Sequence, residues 1–232
     1  MQAKKHPNRT TAVSDPVSTE RLFLALPLPP PIRELLAELA QPVPGVTWTR
    51  AAQLHVTLRF LGDVTVDRID ALVERLAAVH VDAFVLPLEG LGTFPPNRPP
   101  RVVWIGVGSA HPRLFQLRQR VDDALLAAAL PLDVRTFHPH VTLGRCSGRA
   151  AGLPAWLHTH REFAAPPFRV DAFDLCASVL HPSGAVHLLR RRFPLATAGS
   201  LAPHRGPTQS RDASDHGEGV QTGENRPAGA PR

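Results

Sequence analysis

"QLHVTLRFLGD", residues 53 to 63, alternates polar and apolar side chains, and "FHPHVTLGR", residues 137 to 145, repeats its centre letter for letter. Such alternation marks a strand with one wet face and one buried face. In the first stretch it sends His55, Thr57 and Arg59 one way and Leu54, Val56, Leu58 and Phe60 the other. In the second, His138, His140 and Thr142 share a face, with Val141 and Leu143 behind them. Arg145 falls on the wrong parity, so it joins that face only if the strand ends or bulges near Gly144.

A single His-Val-Thr-Leu is an ordinary half-exposed strand. Two identical copies at matching parity, with His55 and His140 lying 85 positions apart, point to chemistry and predict two similar lobes facing each other. Two imidazoles suit in-line displacement at a phosphodiester: one takes a proton from the attacking oxygen, the other gives one to the leaving oxygen. With a reference pKa of ~6.5, both protonation states are populated near neutrality. A threonine two residues on can hydrogen-bond a phosphoryl oxygen, and an arginine can stabilise the charge gathering there. The scheme needs no metal. The spacings His138-Pro-His140 and His158-Thr-His160 are the weaker candidates for a metal site, without a carboxylate cluster beside them. His111, His181 and His187 read as surface or packing residues.

Working outward, strand-like and helix-like patterns alternate. "RLFLALPL" (21–28) reads as a buried strand, followed by a Pro-initiated helix across Ile32 to Leu39. Ile69, Leu72, Val73 and Leu76 fall on one helical face, as do Leu114, Leu117, Val121 and Leu125. "FVLPLEGLGTF" and "RVVWIGV" are strand candidates across the turn "PPNRPP". "RVDAFDLCASVL" and "AVHLLRRRFPL" are two more around Pro182-Ser183-Gly184. The order implies an α+β fold over residues 20–197. The segments 1–19 and 198–232 lack periodicity, the second being rich in Gly, Pro and Ser, and both are expected to be disordered.

The chain of 232 residues is 43% hydrophobic and carries a net charge of +6. Lys4 and Lys5 are its only lysines, and residues 21 to 195 hold 19 arginines against 14 acidic residues. An arginine surplus suits a phosphate-bearing partner, although a compositional bias toward Ala, Pro and Arg would produce it too. No apolar run approaches the ~20 residues that span a membrane. The N-terminus does not read as a secretory signal, and two cysteines form no framework, so a reduced cytoplasmic setting is expected.

"RLFLALPLP", "LHVTLRFLGD", "FPPNRPPRVVWIGV", "FHPHVTLGR" and "LLRRRFPL" resemble, in order and spacing, the two-histidine phosphoesterase superfamily. The branch they resemble most is the RNA 2′,3′-cyclic phosphodiesterase, or 2′-5′ RNA ligase, family. The resemblance runs from about residue 20 to 195. It implies two antiparallel-sheet lobes with flanking helices, related by a pseudo-twofold, and a central cleft lined by one motif from each. It implies opening of a terminal 2′,3′-cyclic phosphate on RNA ends or tRNA fragments to a 2′-phosphomonoester, with 2′-5′ ligation in some members. No metal or other cofactor is expected, and the protein is expected to act as a monomer. Carried over, His55 is the proton donor to the departing 3′ oxygen and His140 the acceptor that activates water. Thr57 and Thr142 match phosphate-binding hydroxyls, and Arg145 matches a substrate-contacting basic residue. Parity favours Arg59 for the phosphate instead. The chain contains no tyrosine, with Cys176 and His187 where relatives often carry it, so a base-stacking contact either falls to Phe60, Phe137 or Trp48 or is absent. A non-catalytic RNA-binding module and a hydrolase of small cyclic nucleotides are the competing readings.

Overall fold

Short apolar runs bounded by Pro and Gly make the strands of this chain, and Leu-rich stretches of 3.6 periodicity make its helices. The computed structural model describes residues 18–96, 98–109, 112–132, 135–181 and 184–197, which belong to one compact unit. The first half runs β1 (Thr19–Pro27), α1 (Pro30–Ala37), β2 (Val46–Trp48), β3 (His55–Thr65), α2 (Ile69–Ala77) and β4 (Phe84–Glu89). The second runs β5 (Leu91–Phe94), β6 (Val102–Gly106), α3 (Pro112–Ala127), β7 (His140–Cys146), α4 (Leu153–Thr159) and β8 (Ala164–Val170), and the hairpin β9 (Ala172–His181) and β10 (Gly184–Pro194) comes last. Setting β2 and β5 aside, each half reads strand, helix, strand, helix, strand.

All strand pairs of the named strands are antiparallel. β10, β9, β1 and β3 form one side of an eight-stranded sheet, and β7, β6 and β5 form the other, with β2 also on β7. The two sides meet between the repeated motifs, where Val56 of β3 pairs with Val141 of β7. β4 and β8, the closing strand of each half, pair with each other as a second sheet. The α+β class expected from the sequence, with antiparallel sheets and flanking helices, is what forms.

The buried side chains form one core. Leu24, Val56, Leu58, Ile105 and Val141 come from the sheet, Ile32 and Leu36 from α1, Leu72 and Leu76 from α2, and Leu114, Leu117 and Val121 from α3. The opposite face of the central strands is left open as a cleft. Strand β1 begins at Thr19, and the carbonyl of Ser18 accepts from the Val66 amide. The expectations for residues 1–17 and 198–232, and for His111 and the His181 side chain, lie outside the described residues.

Candidate active site

Antiparallel pairing at Val56–Val141 fixes how the motifs face each other. Continuing the register one residue each way sets His55 beside Thr142 and Thr57 beside His140. The four polar side chains therefore lie together on the open face, while Leu54, Val56, Val141 and Leu143 are buried behind them.

Both histidines are held in the same tautomer. His55 Nδ1–H donates to the Gln53 carbonyl at 2.7 Å, and His140 Nδ1–H donates to the His138 carbonyl at 2.7 Å. Each acceptor lies two residues upstream of its ring. Each Nε2 is thus the nitrogen left to exchange protons, and His55 Nε2 accepts from the Thr57 hydroxyl at 3.1 Å. Burial pushes the His55 imidazole down to about 4, against the Gln53 hydrogen bond and with help from the charges of His187 and His140. Burial also lowers His140, opposed by its bond to the His138 carbonyl, with the His138 ring lowering it further. Both rings are held ready in the neutral form.

Beyond the threonines the simple alternation fails, and it fails at the same place in both motifs. Leu24 faces Arg59 and Ala25 faces Thr57, so β3 carries Leu58 as an extra residue against β1. Val103 faces Gly144 and Trp104 faces Thr142, so β7 carries Leu143 as an extra residue against β6. A bulge reverses the parity of the residues beyond it. Arg59, expected on the histidine face, is instead 6% exposed, and Phe60, expected in the core, is 57% exposed. On β7 the bulge turns Arg145 onto the same face as Thr142, the condition its parity required.

Arg59 has its own partners. Its Nε and Nη2 donate to the two carboxylate oxygens of Asp122 on α3, at 2.8 and 2.5 Å. Arg118, one turn earlier, donates to the same carboxylate and to the carbonyl of Leu58 at 2.8 Å, so the helix also binds the bulge residue itself. The Arg118 guanidinium lies 4.6 Å from the centre of the Phe137 ring.

Two cavities open on this face and share Thr57 and Phe60. The larger, about 610 Å³, contains His55, Thr142, Arg145, Trp48 and His187 in its lining. It also contains Arg21 and Arg50 and, among the described residues, no carboxylate. The smaller, about 270 Å³, lies on the His140 side, with Phe94, Phe137, His138 and the Arg59 wall. The three aromatic residues considered for base stacking are thereby divided: Trp48 in the larger cavity, Phe137 in the smaller, Phe60 at both.

His187, expected as a surface or packing residue, is half-buried and packs in the lining of the larger cavity. Its ring stands edge-on to His55 with centroids 5.2 Å apart, and burial with the Arg145 charge holds it below the ordinary imidazole range. The available signal was parity, since His187 alternates with Val186 and Leu188 along β10. Gln53 was also missed. Its carbonyl orients His55 and its side-chain amide donates to the carbonyl of Ala185 on β10, a backbone role that no residue type announces. Arg190 and Arg192 pair with Glu20 and Asp174, and Cys146 and Cys176 are free thiols. Among the described residues, no three His, Cys, Asp or Glu gather as a metal-binding group, and no helix is long and apolar enough to cross a membrane.

A family model described as LigT like Phosphoesterase matches the chain twice, over residues 26–104 and 105–187, one match per half. The RNA 2′,3′-cyclic phosphodiesterase of Aeropyrum pernix is 33% identical over 173 residues, covering 73% of this chain and 96% of that protein. The protein of the same name from Archaeoglobus fulgidus is 31% identical over 170 residues, covering 72% and 96%. Among solved structures, Escherichia coli LigT complexed with 3′-AMP superposes with a TM-score of 0.62 at 28% identity, over 78% of this chain and 100% of that one. With its duplicated motif, its paired halves and a family match across each of them, the chain belongs to the LigT-like phosphoesterases.

Proposed function

We propose that this protein is an RNA 2′,3′-cyclic phosphodiesterase that opens a terminal cyclic phosphate to a 2′-phosphomonoester. The observation that carries the reading is the matched locking of His55 and His140 through Nδ1 on neighbouring strands, which leaves each Nε2 to exchange protons, with the Thr57 hydroxyl on that of His55. The relatives named for this activity support the substrate.

In-line displacement needs the attacking and leaving oxygens on opposite sides of the phosphorus. His140, on the side of the smaller cavity, takes the proton of the attacking water. His55, on the side of the larger cavity, gives a proton to the 3′ oxygen as the P–O3′ bond breaks, and the phosphate stays on the 2′ oxygen. Thr57, Thr142 and Arg145 hold the phosphoryl oxygens, and Arg145 stabilises the charge that builds on them. Arg59 takes no part in this step, because its fork is engaged by Asp122. The ring of Phe60, exposed between the cavities, is the stacking surface for a base.

A donor must carry a proton, and burial holds His55 of the protein alone at about 4, neutral at pH 7. The arriving phosphate anion raises the proton affinity of a nearby imidazole, so substrate and proton enter together. The chemistry needs no metal. Both motifs come from one chain, so a single copy carries a complete site, and the proposal takes the protein as a monomer in the cytoplasm. With a 5′-hydroxyl end in place of water beside His140, the same step forms a 2′-5′ link.

The test is an oligonucleotide ending in 2′,3′-cyclic phosphate, incubated with purified protein and EDTA, with the product resolved as 2′ or 3′ phosphate. A 2′-phosphate is expected. A 3′-phosphate would reverse the donor and acceptor assignments, and wild-type rates in His55→Ala would sink the reading. Comparing the oligonucleotide with a mononucleotide 2′,3′-cyclic phosphate separates an RNA enzyme from a hydrolase of small cyclic nucleotides.

A further inference from the structure

The larger cleft holds two imidazoles, and only His55 comes from a repeated motif. The other, His187, arrives on β10 from the far edge of the sheet. Its ring is 5.2 Å from His55 and 4.8 Å from Phe23, both edge to face, so it is braced against the donor while its half-buried ring lines the cavity. The groups facing it are His55 from β3, Phe23 from β1, the Arg145 guanidinium from β7, and Ser178, its partner across the hairpin on β9. Arg21 and Arg50 add two further positive charges to the lining. With no carboxylate among the described residues of that lining, His187 meets no anion of the protein's own there. An entering phosphate supplies one.

We propose that His187 is a further phosphate-binding group of this cleft, which grips phosphoryl oxygens as an imidazolium beside Arg145 and favours a doubly charged monoester over the singly charged cyclic diester. The inference rests on the proposed activity for the identity of substrate and product, though not for the binding of phosphate. The cyclic diester carries one negative charge throughout the neutral range, whereas a phosphomonoester approaches two above its second pKa of about 6. A cation added at His187 therefore strengthens the hold on product more than on substrate. Product retention then grows as pH falls from 8 toward 6.5, where the monoester is still mostly dianionic and the imidazolium becomes easier to form.

The experiment is calorimetric titration of the full chain with a nucleoside 2′-monophosphate and, separately, with inorganic phosphate. Each is run at pH 8 and 6.5 in two buffers of different ionisation enthalpy, so that proton uptake is read along with Kd. His187→Phe keeps a ring against Phe23 and His55, and His187→Gln keeps a polar group. Both are expected to bind the monophosphate about tenfold more weakly at pH 6.5, the loss of one charge-assisted hydrogen bond. Proton uptake on binding is expected to fall by up to about one proton per site. Wild-type Kd and uptake in both variants would overturn the inference, and so would weaker binding with unchanged uptake, which marks a packing role. Neither probe turns over. A protein that binds them normally and fails to open the cyclic phosphate defeats the proposed activity instead.

Discussion

Two places beyond Thr57 in β3 stands Arg59, and two places beyond Thr142 in β7 stands Gly144. One place further stand Phe60 and Arg145. The motifs are identical through four residues and bulge at the same leucine, yet they present opposite chemistry to the cleft, an aromatic ring from one and a guanidinium from the other. The backbone explains where each can go. Arg59 turns inward to Asp122 on α3, while at Gly144 a Cβ would lie 3.1 to 3.2 Å from Val46, Thr47 and Trp48 of β2. The duplicated strand keeps its geometry and differs in what it offers the cleft: on the proposed reading, the charge that would hold phosphate comes from the second motif and the ring that would face a base from the first.

The comparison breaks most visibly at the histidines. His55→Ala and His140→Ala are each expected to lower the hydrolysis rate by about 10²- to 10⁴-fold in a cyclic-phosphate assay. A loss in one variant alone would mean that the pair does not work as acid and base. The two arginines should separate cleanly. Arg145→Ala is expected to reduce kcat/KM by about 10²-fold with little change in melting temperature. Arg59→Met leaves the half-buried Asp122 with less compensation, Arg118 still donating to it, so it should cost about 2 kcal/mol of stability, read as a lower urea midpoint. If Arg59→Met instead abolished turnover in fully folded protein, the assignment of charge to the second motif would fail.

Acid strength sharpens the same comparison. On the proposed roles, the free-enzyme profile of kcat/KM needs His140 neutral and His55 protonated, and both imidazoles lie below their ordinary value. The profile should therefore fall above pH 6.5, by up to about tenfold per pH unit. A flat profile to pH 8 would contradict the donor role of His55. The same lowering has a consequence for folding. Between about pH 4 and 6.5 the unfolded chain binds the His55 proton and the folded chain does not, so stability rises with pH across that window and is complete above it. Denaturant melts of His55→Gln should show a flatter dependence there, by at most about 3 kcal/mol. The smallest effect belongs to Phe60→Ala, expected to weaken oligonucleotide binding by about tenfold with kcat retained, the value of one lost stack.

The motif pairing was legible because a two-residue period and a literal repeat both survive into the fold. The bulges were not, since an extra residue in one strand is visible only against the strand it pairs with. That one shift exchanged Arg59 and Phe60 between core and cleft. The segment "FVLPLEGLGTF" reads as one strand, yet Gly90, at a φ of 75°, divides it between two sheets. β8 was hidden by Pro166 and Pro167, residues that argue against a strand and are tolerated here because the second sheet has only two strands and both are edges. His187 was legible in parity but not in position. Only the hairpin's place beside β1 brings it to His55.

The Val56–Val141 pair sits where a twofold axis would run if the halves were equal. Two identical half-length chains meeting there would build the same cleft, each with its own His, Thr and bulge, but with nothing to tell the acid from the base. Such a site would run either way round, with any given phosphate as well placed in one orientation as in the other. Joining the halves in one chain is what lets a single end of the axis carry arginine and the other phenylalanine, and on the proposed reading that asymmetry would give the reaction a direction.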